Sequence, residues 1–336
     1  MGLYHPVAIG SLAIPGNLFL APVAGYFDRV FRSICIEQGA DFTSTELVSS
    51  EALVRNPALY GAHSASIEKN ILSRGDNETR YAVQLFGSDP EVMYRATSLL
   101  APYHPDAVDI NCGCPVPKVT KTGAGSALMR NPALLGRIVE AVVRGAQERL
   151  GAAPVMVKMR SGWDASSVNY RECARIAVEA GAALVSLHAR TRSQGYAGTS
   201  DWSYIADLVS QVPVPVAGSG DLFSPEDAER MLRETGCAAV LFARGAMGNP
   251  FIFSAARSLL LTGSWELPTP EERLVIGFRH LTQLAADIGE GSACREMRKQ
   301  FCTYTKGLAG GAVLRNRLVH AQTIAEYRDI LREFAR

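Results

Sequence analysis

Short apolar runs alternate with amphipathic segments along most of this chain, and that alternation leaves few folds open. Strand-like runs stand at Leu18–Ala21, Phe42–Thr45, Tyr81–Phe86, Ala107–Ile110, Val155–Met159, Ala183–His188, Val214–Ala217 and Ala239–Phe242. Most are continuously apolar, as strands buried on both faces of a parallel sheet must be. Helical patterns fill the gaps at Arg29–Gln38, Pro132–Leu150, Tyr170–Ala180 and Pro225–Glu234. Asp89-Pro90, Asn131-Pro132, Ser224-Pro225 and Asn249-Pro250 each set a capping side chain ahead of a proline suited to the first helical position. Gly39, Gly151, Gly181 and Gly236 stand where helices should end. Eight such β-then-α units in about 245 residues match a (β/α)8 TIM barrel in count and length. A doubly wound open sheet is the competitor, because periodicity does not distinguish closure from openness. After Pro250 the strand signals stop. Residues 251–336 read as helices broken at Gly263–Pro270, Gly289–Ser292 and Gly307–Gly311. The expected organisation is α/β: a catalytic (β/α)8 barrel over 1–250, then a C-terminal helical domain over 251–336.

Composition narrows the function. A formal net charge of +1 provides no global field for nucleic acid, so any such binding needs a local patch. The seven cysteines are odd in number and lack a second pair at zinc spacing, which favours reduced thiols and a cytoplasmic protein. No apolar run approaches the roughly 20 residues of a membrane span. The start, MGLYHPVAIG, has no basic region ahead of an apolar core, and Pro6 stands where a myristoylation motif needs Ser or Thr. No GxSxG elbow and no GxGxxG are present, and the six histidines do not cluster as metal ligands.

In a barrel, catalytic groups leave the C-terminal ends of the strands. The residues there are Ala21-Pro22-Val23-Ala24-Gly25, Glu46, Gln84, then Asn111 with Cys112 and Cys114, then Lys158 with Arg160. His188 with Arg190, Gly218-Ser219-Gly220-Asp221 and Arg244-Gly245 complete the rim. A lysine after a buried run needs an anion or a carbonyl nearby. Glycine-rich loops after strands seven and eight hold phosphate in many barrels, and Arg244 adds a bidentate partner, so a phosphorylated cofactor follows. Taken singly, Gln84 reads equally as a hydrogen-bonded core amide, and His188 more often as a structural residue than a catalytic one.

The combined motifs resemble the tRNA-dihydrouridine synthases, in particular the bacterial branch that includes DusB. The resemblance rests on Ala21-Pro22-Val23, Asn111-Cys112-Gly113-Cys114-Pro115, Ala124-Gly125-Ser126-Ala127-Leu128, Val157-Lys158-Met159-Arg160 and His188-Ala189-Arg190-Thr191-Arg192. Gln194-Gly195-Tyr196-Ala197-Gly198 and Asp201-Trp202 extend it, and it runs from about residue 15 to about residue 320. It implies a flavin barrel followed by a helical tRNA-binding domain, with FMN reduced by NADPH and then reducing the C5–C6 double bond of a uridine. It implies that Ala21, Pro22, Val23, Gln84, Lys158, His188, Ser219, Gly220, Asp221, Ala243 and Arg244 hold FMN. Cys114 becomes the proton donor and Asn111 a contact to the uracil. Val23 stands in place of the family's Met, Ser219 in place of Asn, and Ala243 in place of Gly; Cys112 stands where Met is common and is expected to be a spectator thiol beside Cys114.

The chemistry suits these residue types. Flavin carries the redox step, and a thiol with a pKa of about 8.5 is mostly protonated at neutral pH yet able to release its proton. Lys158 would stabilise negative charge at the flavin. Between residues 295 and 320, Arg295, Arg298, Lys299, Lys306, Arg315 and Arg317 face only Glu296, and this excess of cations is expected to form a phosphate-binding surface. Arg190 and Arg192 are expected either to reach RNA at the barrel mouth or to be structural. The protein is expected to act as a monomer, with tRNA and NADPH as partners and no metal. Two other readings remain open: a flavin barrel acting on a small pyrimidine-like molecule, and a catalytically silent tRNA-binding protein.

Overall fold

The computed structural model describes residues 2–60 and 71–334. An antiparallel hairpin, β1 (Val7–Ile9) and β2 (Leu12–Ile14), precedes the main sheet. The sheet comprises β3 (Leu18–Leu20), β4 (Phe42–Ser44), β5 (Val48–Ser49), β6 (Tyr81–Phe86), β7 (Ala107–Cys112), β8 (Val155–Arg160), β9 (Leu184–His188), β10 (Val216–Ser219) and β11 (Ala239–Phe242). Every pairing in it is parallel, and the order runs β4-β3-β11-β10-β9-β8-β7-β6 with β4 also paired to β6. The ring therefore closes, and the chain is a TIM barrel rather than an open sheet. β5 is a short addition beside the upper half of β6.

Each barrel strand has two buried faces, which explains the continuous apolar runs. Leu20, Val83, Leu85, Val108, Ile110, Val157, Val185, Val240 and Phe242 face outward into the packing with helices. Phe19, Phe42, Ala82, Ala107, Met156, Leu184 and Ala239 face inward and cluster with Val7, Ile9 and Ile14 of the hairpin, which thus plugs one end. Above that apolar floor the inward positions turn polar. Gln84 lies beside Asp109, and Asn111 beside Lys158, on neighbouring strands.

β10 begins two residues later than the apolar run suggests. Pro213 and Pro215 flank Val214 and have no N–H to give the ladder, so pairing starts at Val216. Asp89, Asn131 and Ser224 cap their helices through side-chain oxygens. Asn249 does not: its amide donates to the Gly245 carbonyl, and the helix begins at Ile252. That helix, Ile252–Thr262, packs on helix Pro225–Thr235 and on β3, as the eighth helix of the barrel must. The purely helical layer starts after Gly263, at Pro270, following the break expected at Gly263–Pro270.

The C-terminal helices Pro270–Ile288, Glu290–Tyr304, Gly311–Leu318 and Ile324–Phe334 dock on the barrel rather than standing apart. Leu281, Leu284, Met297, Phe301 and Tyr304 share one apolar core with Phe27, Phe31 and Ile34. Within it, fully buried His280 bonds to Asp28 (3.0 Å) and to the Tyr304 hydroxyl (3.2 Å).

Candidate active site

The C-terminal mouth of the barrel holds a cavity that opens to solvent. Ala21, Pro22, Val23, Asn111, Cys114, Lys158, His188, Ser219, Gly220, Asp221, Ala243 and Arg244 all line it. Residues from six different strand ends thus meet in one place, because closure of the sheet brings β3 beside β11.

Cys114 sits half-buried on the loop after β7. Its N–H donates to Asn111 Oδ1 (2.9 Å), as does that of Gly113 (3.2 Å). The second glycine stretch secures the same loop: Ser126 donates to the Cys114 carbonyl through both its N–H (3.1 Å) and its hydroxyl (2.9 Å). Gly125 is required there, since it lies at φ +62° and a Cβ would come within 2.9 Å of the Cys114 carbonyl oxygen. Burial pushes the Cys114 thiol up, opposed by Arg160 and Lys158. Cys112, expected beside it, points the other way into the core between barrel and helices, because successive strand residues face opposite sides.

Gln84 lies beneath the cavity rather than on its wall. It is fully buried, and its Nε2 donates to Asp109 Oδ2 at 2.6 Å. Burial raises the Asp109 carboxyl to about 7, while Gln84 and Lys158 oppose the rise. Burial lowers the Lys158 ammonium to about 8, opposed first by Asp109. His188 is held neutral by burial and by the cations of Lys158, Arg160, Arg190 and Arg244. Its Nε2 is buried without a hydrogen-bond partner among the described residues.

Arg190 is not at the mouth. Its side chain is 2% exposed, and its guanidinium grips both Asp221 oxygens (2.7 and 2.8 Å) and the Gly198 carbonyl (2.6 Å). Of the two roles expected for it, this geometry favours the structural one: the guanidinium braces a loop. Ser200 N–H also donates to Asp221, and the Trp202 indole donates to the Gly220 carbonyl. The Gln194–Trp202 segment is therefore a clamp on the Ser219–Asp221 loop. Arg244 completes it, bonding Asp221 at 3.1 Å and lying between the rings of Tyr196 (4.4 Å) and Phe223 (5.0 Å).

The six basic residues of the C-terminal helices do not form one free surface. Lys299 pairs with Glu296 beside Gly25 and the Tyr26 ring; Arg298 turns toward Tyr327; Arg317 pairs with Glu333. Arg315 donates to the Thr305 carbonyl. Arg295 and Lys306 are exposed, and Lys306 lines a second hollow with Arg244, Phe223 and Arg273 between the barrel rim and the helices.

Two residues escaped the sequence reading as site members. Asp109 has a recognisable signal, a carboxylate at an inward position of the run AVDIN. Arg160 was noted only as a strand-end residue; it is 2% exposed and braces the mouth by donating to the carbonyls of Gly113, Thr191 and Gly195. Val116, Tyr196 and Phe223 form an exposed apolar rim, 50 to 58% accessible.

Comparison with known proteins agrees with this geometry. The family model for dihydrouridine synthase (Dus) matches residues 19–336. A probable tRNA-dihydrouridine synthase of Treponema pallidum is 49% identical over 336 residues, covering 98% of this chain and 96% of that protein. tRNA-dihydrouridine synthase B of Pseudomonas aeruginosa is 35% identical, covering 92% of this chain and 90% of its own length. Among solved structures, the old yellow enzyme homologue of Zymomonas mobilis superposes with a TM-score of 0.53 at 12% identity, over 81% of this chain and 96% of that one. That likeness concerns the barrel fold alone. With one family model spanning nearly the whole sequence and relatives of this identity aligned almost end to end, the chain belongs to the dihydrouridine synthase family.

Proposed function

We propose that this chain reduces the C5–C6 double bond of a uridine in tRNA, with FMN as its bound cofactor and NADPH as the reductant. One observation carries the reading: Cys114, Asn111 and Lys158 line the same cavity as the Ser219–Asp221 and Ala243-Arg244 loops. The cavity suits a flat, phosphorylated cofactor. His188 Nε2 lacks a hydrogen-bond partner among the described residues. A Cβ at Gly220 would meet His188 at 2.9 Å, and one at Gly245 would meet the Leu222 carbonyl at 2.1 Å, so both loops approach as bare backbone. Ser219, Gly220, Ala243 and Arg244 would hold the phosphate, with Asp221 setting the Arg244 guanidinium. Ala21, Pro22, Val23, Lys158 and His188 would border the ring system, with Gln84 supporting from below.

FMN, when bound, supplies hydride to C6 of the base. The Cys114 thiol, kept protonated by burial, delivers the proton to C5. Lys158 provides the cation that stabilises developing negative charge. Asn111 orients the Cys114 turn and presents an amide to the uracil edge. Exposed Arg295 and Lys306 contact tRNA phosphates.

Purified protein is expected to be yellow and to oxidise NADPH. Cys114→Ala is expected to keep both properties while losing dihydrouridine formation by roughly 100-fold or more, scored by mass spectrometry of tRNA. A colourless preparation that FMN does not reconstitute overturns the cofactor assignment. Unimpaired dihydrouridine formation by Cys114→Ala removes that residue from its role.

A further inference from the structure

The chemistry above makes no use of Asp109, a carboxylate 3% exposed in the middle of the barrel. Asp109 begins a line of four groups. Gln84 Nε2 donates to Asp109 Oδ2 (2.6 Å), Asn111 Nδ2 donates to Gln84 Oε1 (2.7 Å), and Cys114 N–H donates to Asn111 Oδ1 (2.9 Å). Above about pH 7, where Asp109 has released its proton, its carboxylate only accepts, and a main-chain N–H only donates. Two primary amides strung between those ends are fully bonded in one orientation alone. Turning Gln84 over sets its carbonyl against the carboxylate. Turning Asn111 over sets its amino group against the Cys114 N–H. All three side chains are buried, so water does not compensate either error.

We propose that Asp109 is a positioning residue for the Cys114 turn, fixing through the amides of Gln84 and Asn111 which face of Asn111 meets that turn. The inference builds on the reading of Cys114 as proton donor. It also explains why Gln84, which does not touch the cavity, belongs with the site. A competing role for Asp109, as nothing more than the counter-charge of Lys158, makes a different prediction for an amide in its place. Asparagine can turn its carbonyl to Gln84 Nε2 while the Gly113 and Cys114 N–H groups hold the other end of the line, so the chain of bonds stays intact without the charge. Leucine, of similar size, removes both.

The test is alkylation of the purified protein with iodoacetamide, without tRNA, followed per thiol by peptide mass spectrometry. Exposed Cys302, on helix Glu290–Tyr304, serves as the internal standard. Asp109→Leu is expected to change the Cys114 rate by roughly two- to tenfold relative to Cys302, the equivalent of one lost hydrogen bond. Asp109→Asn is expected to restore the native ratio. Equal Cys114 rates in the native protein and Asp109→Leu overturn the proposal. A change of the same size in both variants also overturns it, assigning Asp109 to Lys158 alone. If Asp109→Leu does not fold, Gln84→Met interrupts the same line and is expected to alter the ratio in the same way, an unaltered ratio again overturning it. None of these outcomes depends on dihydrouridine formation, so failure of Cys114→Ala to abolish that reaction counts separately, against the proton-donor reading.

Discussion

At the scale of single residues, burial in the barrel interior shifts Asp109, Lys158, His188 and Cys114 toward their neutral forms. Asp109 is the clearest case, and its pH dependence has a definite sign. Unfolded, its carboxyl releases a proton near 4; folded, it does so at about 7. Between those values the native state holds more protons than the unfolded chain, so the stability that Asp109 contributes is present below about 4 and is lost as pH rises through about 7. Melting temperature measured from pH 4.5 to 7.5 should therefore fall more steeply for the native protein than for Asp109→Asn. Parallel curves would mean that Asp109 titrates normally. Most of the other site residues were legible in the sequence because each stands at the end of a strand. Asp109 was less so: one carboxylate inside an apolar run is as easily read as an interruption.

At the scale of elements, the loops after β9 and β10 form one clamp. Arg190, nearly inaccessible, is its pivot, with both Asp221 oxygens and the Gly198 carbonyl on one guanidinium. Arg190→Met should cost about 3 kcal/mol or more, because it leaves a partly buried carboxylate short of its main partner. Calorimetry should register a drop of several degrees, and flavin affinity should weaken as the Ser219–Asp221 loop relaxes. An unchanged transition would show that Arg244 alone satisfies Asp221. The sequence placed Arg190 at a strand end correctly, but not its direction. Its partner lies 31 positions away on another loop, and spacing along the chain carries no information about which cation such a carboxylate selects.

At the scale of the whole molecule, the helical layer is fastened to the barrel by a shared core and by polar ties at its edge. Arg29 pairs with Asp287, Gln300 donates to the Tyr26 carbonyl, and His280 bridges Asp28 and Tyr304. This leaves only part of the basic complement for RNA. Replacing exposed Arg295 and Lys306 together by Ala should weaken tRNA binding and reduce the slope of log K against log salt by about 1 to 2. Replacing Arg317, already paired with Glu333, should change that slope little. Filter binding across a salt series distinguishes the two. Equal slopes for all variants would remove the helical layer from the phosphate contacts.

Periodicity, caps and strand-end residues by themselves determined the number and order of the βα units and the set of polar side chains at the strand ends, because these depend on local spacing. Only the tertiary structure decided that the sheet closes, since closure is a pairing of β4 with β6 and of β3 with β11 that no local pattern encodes. It also decided which charges remain free. Cations 295 to 317 look alike in the sequence, and only packing separates Lys306, facing solvent, from Arg298, turned toward Tyr327. Burial and pairing are properties of neighbours brought together by the fold, and they set which groups can still meet a ligand.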